Sequence, residues 1–208
     1  MKKIMFNDDY GLTQAVLNGR KTMTRRIIKC PETYKGRPVK GLRTTGSKDI
    51  RLAVEMLVYN EECDDFVPMY IQPRYEIGEV IAVAQSYKDA GYDTHDTFGE
   101  CRSIGSYPGW KNKRFVKAEY MPRHISITNI KIERLQDISD EDCLKEGIYE
   151  DSGDDEFPPS IFYEFEGNKD NGFDTPREAF AALIDKISGR GTWNNNLYTF
   201  AYEFELID

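Results

Sequence analysis

The sequence predicts an α+β protein: a small β-barrel with short helices at its periphery. About six or seven strand-like and three helix-like segments follow one another irregularly, so they do not form the strand–helix–strand units of a doubly wound sheet. The clearest strand, residues 125–135, carries isoleucines of both parities: Ile125, Ile127, Ile130 and Ile132. An extra residue near Thr128 and Asn129 would return them to one core, and such a bulge lets a sheet curl towards a barrel.

The chain begins with a short strand and a helix. Residues 4–6 are apolar and predict the strand, and Asn7 or Asp8 can cap the helix that follows. Gly19 ends the helix, because glycine adopts the left-handed conformation at least cost. The apolar positions of the helix fall at i, i+3 and i+4, namely Leu12, Ala15 and Val16.

A strand, a loop and a hairpin are expected next. Residues 20–28 predict a turn that enters a strand, and residues 29–50 a basic loop that contains glycine. Two strand-like runs, residues 53–59 and 66–71, flank an acidic turn and predict a β-hairpin. Residues 80–84 are nearly all apolar, which is typical of a buried strand.

The second half is predicted to hold two helices and a closing strand. Ser139 caps a short helix that ends at Gly147, and Thr175-Pro176 begins a longer helix with a capping-box glutamate at Glu178. Residues 198–206 alternate apolar and polar and predict an amphipathic strand. The chain is therefore expected to be one domain, residues 1–208, with insertions near residues 30–75, 88–114 (a long loop) and 149–174 (acidic and irregular).

Charge is distributed unevenly along the chain. The formal net charge is −8, which argues against a protein that coats duplex DNA broadly. Residues 1–48 nevertheless hold 12 Lys/Arg against 3 Asp/Glu, a charge of +9, while the other 160 residues hold 16 against 33, or −17. An acidic body with one basic region favours a small or single-stranded anionic ligand that is held locally.

The composition also predicts the cellular location of the protein and the absence of a metal site. No apolar run approaches the roughly 18 residues of a membrane span, so we expect a soluble, cytoplasmic protein with no membrane partner. Four cysteines lie far apart with two histidines to help them, which predicts reduced thiols and no zinc site. We expect no metal ion and no other cofactor.

The most concentrated chemistry lies between Gly19 and Arg26, where four cations and two hydroxyls occur within seven residues. The pattern Gly19-x-Lys21-x-x-Thr24-x-Arg26 resembles the signature of the ASCH domain family, in particular bacterial and phage members that read G-R-K-T-x-T-R-R. The family signature usually carries glutamate at the place of Thr24. Further similar blocks occur in the same order: residues 78–87, Met121-Pro122-Arg123, residues 133–139, residues 146–148 and residues 193–204. The chain departs from the family at Ala82, Ala84, Gln85, Tyr87 and His124.

This resemblance implies a PUA-like β-barrel and an association with RNA. One bacterial branch of the family is an amidohydrolase that removes the acetyl group from acetylcytidine nucleosides, and its lysine, threonine and glutamate match Lys21, Thr24 and Glu146 by position. The residues are compatible with that chemistry, because neighbouring arginines favour a neutral Lys21 that can take the proton of the Thr24 hydroxyl. Because Lys21 and Thr24 would face opposite sides of a straight strand, this chemistry requires the turn after Gly19.

Three functions remain open at this point. The first is a cleft that binds RNA, a nucleoside or a nucleotide through the residues Arg20, Lys21, Thr24, Arg25, Arg26 and Arg123. The second is hydrolysis of an acyl group from acetylated cytidine by Lys21, Thr24 and Glu146. The third is a non-enzymatic phage or host accessory protein with a protein partner, because residues 137–170 hold 13 Asp/Glu against 2 Lys/Arg.

Overall fold

The computed structural model describes residues 1–44, 52–98, 102–152, 161–168 and 172–208. Its strands are β1 (Lys3–Ile4), β2 (Met23–Ile27), β3 (Thr33–Tyr34), β4 (Arg37–Thr44), β5 (Val54–Asn60), β6 (Asp65–Ile71), β7 (Val80–Val83), β8 (His124–Arg134), β9 (Tyr149–Ser152), β10 (Ile161–Glu164) and β11 (Tyr198–Leu206). Its α-helices are α1 (Leu12–Leu17), α2 (Asp140–Lys145), α3 (Pro176–Ser188) and α4 (Thr192–Asn195).

The main sheet has five strands in the order β1-β7-β8-β11-β2. Every neighbouring pair is antiparallel except β1 and β7, which are parallel. The sheet curls into a half-barrel, and few, short helices accompany it. The α+β class is therefore confirmed, and the barrel is present as this half-barrel.

The predicted bulge lies in the long central strand. Glu203 of β11 pairs with Asn129 and Phe204 pairs with Ile127, so Thr128 is the extra residue of β8. Thr128 is exposed, while Ile127 on one side and Ile130 on the other are both buried. The single unpaired residue thus turns the isoleucines at odd positions and those at even positions of the strand towards the same core.

The hairpin predicted between residues 53 and 71 is confirmed as β5 and β6, within a second sheet of order β3-β4-β5-β6. The prediction of a loop over residues 29–50 is wrong for residues 33–34 and 37–44, which form β3 and β4. Pairing along β5 supplies backbone hydrogen bonds to a segment whose own composition does not favour a strand. Residues 45–51 lie outside the described residues.

Two further expectations need adjustment, and a third is confirmed for the described residues. The helix α1 is capped at Gly11 rather than at Asn7 or Asp8, and the Asp8 carboxylate accepts a hydrogen bond from the Thr13 hydroxyl instead. The segment 149–174 is not wholly irregular, because β9 and β10 pair as an antiparallel hairpin, although residues 153–160 and 169–171 are not described. Residues 88–114 do form an extended connection with short 3₁₀ turns, and residues 99–101 fall outside the described part.

The caps of the two later helices are confirmed. The Ser139 hydroxyl accepts from the Asp142 amide at the start of α2, and the Thr175 hydroxyl accepts from the Glu178 amide at the start of α3. The inner face of α3 packs on the main sheet through buried apolar side chains, among them Phe180 and Leu183. Residues of α3 and of β2 line opposite parts of one cavity, which is described below.

Two further observations concern the thiols and the helices. Cys30, Cys63 and Cys143 are free thiols, and Cys101 lies outside the described residues. Burial raises the pKa of Cys143 to about 12, so this thiol is protonated at neutral pH. None of the helices in the described residues is long and apolar enough to cross a membrane.

Deleting Thr128 is expected to destabilise the protein severely. Without the extra residue, half of β8 turns its buried isoleucines towards solvent or loses its register with β11. We expect loss of the cooperative unfolding transition, measured by circular dichroism during thermal and urea denaturation.

The matched control is Thr128→Ala, which keeps the bulge and changes an exposed side chain. Its free energy of unfolding should stay within about 0.5 kcal/mol of the wild type. A deletion variant that unfolds as cooperatively as this control contradicts the assigned role of the bulge.

Candidate functional site

The turn after α1 places Lys21 and Thr24 on the same cavity. Gly19 ends the helix with a φ of +72°, and the Lys21 amide then donates to the Ala15 carbonyl at 3.0 Å. The Thr22 amide donates to the Lys145 carbonyl at 3.0 Å, and β2 begins only at Met23. Lys21 therefore lies before the strand, in the turn that the proposed hydrolysis requires. The alternation of side chains along β2 does not force Lys21 and Thr24 onto opposite faces.

Lys21 and Glu146 form a buried ion pair. Lys21 Nζ lies 2.6 Å from the Glu146 Oε2 atom and 2.6 Å from the Glu146 carbonyl oxygen, and donates to both. The two residues are 2% and 5% exposed. A charged pair at this depth persists only because each partner satisfies the other.

The end of α2 positions Glu146 for this contact. Glu146 is the C-cap residue, so its carbonyl is one of the unsatisfied groups at a helix C-terminus, where a cation is favourable. Gly147 follows with a φ of +105°, and a Cβ atom there would lie 3.1 Å from Leu12 Cδ2 and 3.7 Å from Lys21 Cδ. A larger residue at this position would be strained and would crowd α1 and the lysine.

Arg25 joins three carboxylates beside this pair. Its Nη1 donates to Glu146 Oε1 at 3.2 Å, and its Nη2 donates to Asp142 Oδ2 at 3.0 Å and to Glu133 Oε1 at 2.5 Å. The side chain is fully buried. We call Lys21, Arg25, Glu133, Asp142 and Glu146 the buried charge network.

The network changes the pKa values of both cations. Burial lowers the pKa of Lys21; Glu146 opposes this effect, and Arg26 and Arg25 add to it, so that the pKa lies below its ordinary value. Burial also works against the charge of Arg25, but Glu146 and Glu133 outweigh it and raise the pKa of that guanidinium. Arg25 thus stays charged, while Lys21 gives up its proton more readily than an exposed lysine.

A cavity of about 440 Å³ opens on this network. Its polar wall includes Lys21, Thr24, Arg25, Arg26, Lys29 and Glu146, and its apolar wall includes Phe6, Leu12, Phe180, Leu183, Ile184, Ile187 and Leu197. Ile187 of α3 is 37% exposed at this wall. Small-molecule sites in proteins have this range of volumes and this mixture of apolar surface with a few convergent polar groups.

The structure brings together most of the residues that the sequence singled out, but not all. Lys21, Thr24 and Glu146 share the cavity. Arg20 and Arg123 do not line it: Arg20 is exposed and lies over the Tyr149 ring, with its Cζ atom 5.5 Å from the ring centroid, and Arg123 is exposed on the approach to β8. The two arginines thus lie outside the wall of this cavity, and their role in ligand binding stays a prediction.

Some residues of the site escaped sequence reasoning. Glu133 and Asp142 are far from residues 19–26 in the chain, and their carboxylates looked like ordinary charges on a strand and on a helix. Two features pointed to them: Glu133 opens the similar block 133–139, and Asp142 lies four residues before Glu146, on the same helix face. Asp142 and Glu146 belong to the acidic stretch 137–170, and both face inward rather than towards a protein partner.

The arrangement supports two kinds of chemistry. A protonated Lys21 with Arg26 and Lys29 can attract an anionic or electron-rich ligand into a partly apolar cavity. A neutral Lys21 can accept a proton, and its lowered pKa makes that form more accessible. Among the described residues, the hydrogen bonds of Lys21 Nζ go to Glu146 and not to Thr24.

Comparisons with protein-family models, with curated proteins and with solved structures find no match for this chain. A functional interpretation of the cavity therefore rests on its geometry and on the sequence pattern between Gly19 and Arg26. Both concern the same wall of the cavity, which is formed by the turn before β2 and by β2 itself.

Replacing Arg25 is expected to destabilise the fold. Arg25→Met removes the buried cation that pairs with Glu133, Asp142 and Glu146. Breaking a buried ion pair in this way typically lowers the free energy of unfolding by about 3–5 kcal/mol. Urea denaturation at pH 7 measures the loss in the free energy of unfolding.

The matched control is Arg20→Met, which removes an exposed arginine of the neighbouring turn and should change stability by about 0.5 kcal/mol at most. Equal losses in the free energy of unfolding for the two variants would show that the buried charge network contributes little to stability.

Proposed function

We propose that this chain is an ASCH-type protein of PUA-like fold whose cavity binds RNA or a nucleoside. The observation that carries the proposal is the convergence of Lys21, Thr24 and Glu146 on one cavity of ligand size. The half-barrel sheet is compatible with a PUA-like barrel, and the basic segment between Gly19 and Arg26 supplies the cavity wall.

The cavity suits a single nucleoside unit better than a stretch of stacked bases. About 440 Å³ accommodates one small molecule, so a strand of RNA would have to place one unstacked nucleotide inside. Phe6 offers an aromatic ring at the wall, and the Lys21, Arg26 and Glu146 side chains offer donors and acceptors for the edge of a base.

Narrowing the cavity is expected to weaken nucleoside binding. Ile187→Trp places a larger ring at a half-exposed position of the wall, where it reduces the free volume without a buried clash. We expect wild type to bind at least one of the four ribonucleosides, N4-acetylcytidine or short single-stranded RNA at low salt, and Ile187→Trp to bind about tenfold more weakly, a change of about 1.4 kcal/mol. Isothermal titration calorimetry measures both.

The control is Ile207→Trp, which makes the same change at a similarly exposed isoleucine outside the cavity wall. It should bind as the wild type does. Failure of wild type to bind any of these ligands at low salt rejects the proposed function.

A second function, amide hydrolysis, is favoured by the contact between Lys21 and Glu146 beside Thr24. In this reaction neutral Lys21 takes the hydroxyl proton of Thr24 as Oγ1 bonds to the acetyl carbon. The C–N bond of the amide then breaks, and the leaving amine takes that proton from Lys21. Water next hydrolyses the threonine ester, so that one water is consumed and cytidine and acetate are released. Glu146 orients the lysine and lowers the cost of its protonation.

Release of cytidine from N4-acetylcytidine tests this second function. The rate is expected to fall at least about a hundredfold in Lys21→Met and in Thr24→Val, because each lacks a group that bonds or moves a proton. Since the active form of Lys21 is neutral and its pKa is lowered, the wild-type rate should rise with pH and level off below the ordinary lysine value of 10.5. Chromatography of the product measures the rate.

The control here is Thr22→Val, which alters a hydroxyl of the same segment outside the cavity wall and should keep the wild-type rate. Equal product from wild type and Lys21→Met rejects hydrolysis and leaves the binding function untouched.

A further inference from the structure

A second cavity, of about 470 Å³, adjoins the first. The two share a wall made by Met5, Arg26, Ile27 and Lys29. Thr24 and Arg26 are two residues apart on β2 and so lie on one face of the strand, about 6.6 Å apart along it. A ligand seated beside Thr24 therefore reaches the second cavity by passing Arg26.

The second cavity is cationic and lacks acidic groups. Its wall contains Lys3, Arg26, Lys29 and Arg74 and no Asp or Glu, although the chain as a whole carries a charge of −8. The Lys3 ammonium is occupied, because it donates to the carbonyls of Arg114 and Val116. The other three cations form no ion pair with any carboxylate of the described residues. Arg26 Nη2 donates to the Met5 carbonyl at 2.9 Å, which leaves the other N–H groups of its guanidinium for a ligand.

The backbone around Arg74 is held in place while its side chain is exposed. The Arg74 amide donates to the Tyr202 hydroxyl at 2.9 Å, and its carbonyl accepts from Lys2 Nζ at 2.8 Å. Its guanidinium lies over the Tyr75 ring, with Cζ 5.6 Å from the centroid. Tyr75, Arg26 and Arg74 line the same cavity, and both guanidinium groups oppose the rise that burial causes in the pKa of Tyr75.

We infer that the second cavity is a phosphate subsite and that the ligand of the first cavity is a nucleotide. Arg26, Lys29 and Arg74 supply the donors for the phosphate, and guanidinium groups match phosphate oxygens in geometry and charge. The inference rests on the proposed binding function and goes beyond it, because Arg74 follows the hairpin of the second sheet and lies outside the sequence blocks that resemble the ASCH family.

The test compares each of the four ribonucleosides with its 5′-monophosphate by calorimetry at low salt. We expect the monophosphate of the bound nucleoside to bind at least about tenfold more tightly than the nucleoside, which corresponds to about 1.4 kcal/mol. Arg74→Met should remove most of this gain and leave the affinity for the nucleoside unchanged. Arg123→Met, which alters another exposed arginine outside both cavity walls, should keep the gain.

Inorganic phosphate is the second probe and does not depend on the nucleoside. It should bind weakly to wild type and to Arg123→Met, bind less to Arg74→Met, and compete with the monophosphate but not with the nucleoside.

The outcomes separate the subsite from the nucleoside function. Phosphate binding that depends on Arg74, without binding of any nucleoside, supports the subsite and rejects the nucleoside function. A nucleoside that binds as tightly as its monophosphate, or a gain that survives Arg74→Met, overturns the subsite and leaves the nucleoside function standing. Phosphate binding that is equal in all three proteins also overturns it.

Discussion

The buried contacts of Glu146 with Lys21 and Arg25 are the constraint on which the rest of the structure depends. Two cations and three carboxylates are withdrawn from water here, and each charge is tolerable only while its partners stay within hydrogen-bonding distance. The requirement fixes the end of α2 against the turn before β2. It also explains the glycine after Glu146, because the chain must turn there without a side chain between α2 and the lysine.

The same strand serves stability and ligand access. Arg25 pairs with the three carboxylates of the buried charge network and also lines the cavity, and Thr24 and Arg26 on either side of it line the cavity without joining the network. Because the strand period is two, a one-residue shift in register would exchange Arg25 with its neighbours. The register of β2 against β11 therefore determines at once which charges are buried and which groups a ligand meets.

Sequence patterns predicted those parts of the fold in which local signals and tertiary contacts agree. The capped helices α2 and α3, the hairpin of β5 and β6 and the bulge at Thr128 all carry such signals. The strand β4 was missed because its exposed, basic side chains show no apolar alternation, and its pairing with β5 is a contact between segments rather than a property of either.

The candidate site was predicted only in part for a similar reason. The turn predicted after Gly19 is confirmed, but the inward orientation of Glu133 and Asp142 arises from Arg25, which is more than 100 residues away in the chain. Arg20 illustrates the converse error, since closeness in sequence to a functional segment does not bring an exposed side chain into its cavity.

The place of β2 in the sheet has a consequence for how the molecule is made. Among the described strands, β2 pairs with β11, near the other end of the chain, and Thr24 lies opposite Tyr202. The two strands are far apart in the chain, so their pairing closes a long loop, and long-range pairings of this kind slow folding. Both cavities take part of their walls from β2, so their complete shape depends on this late, long-range pairing.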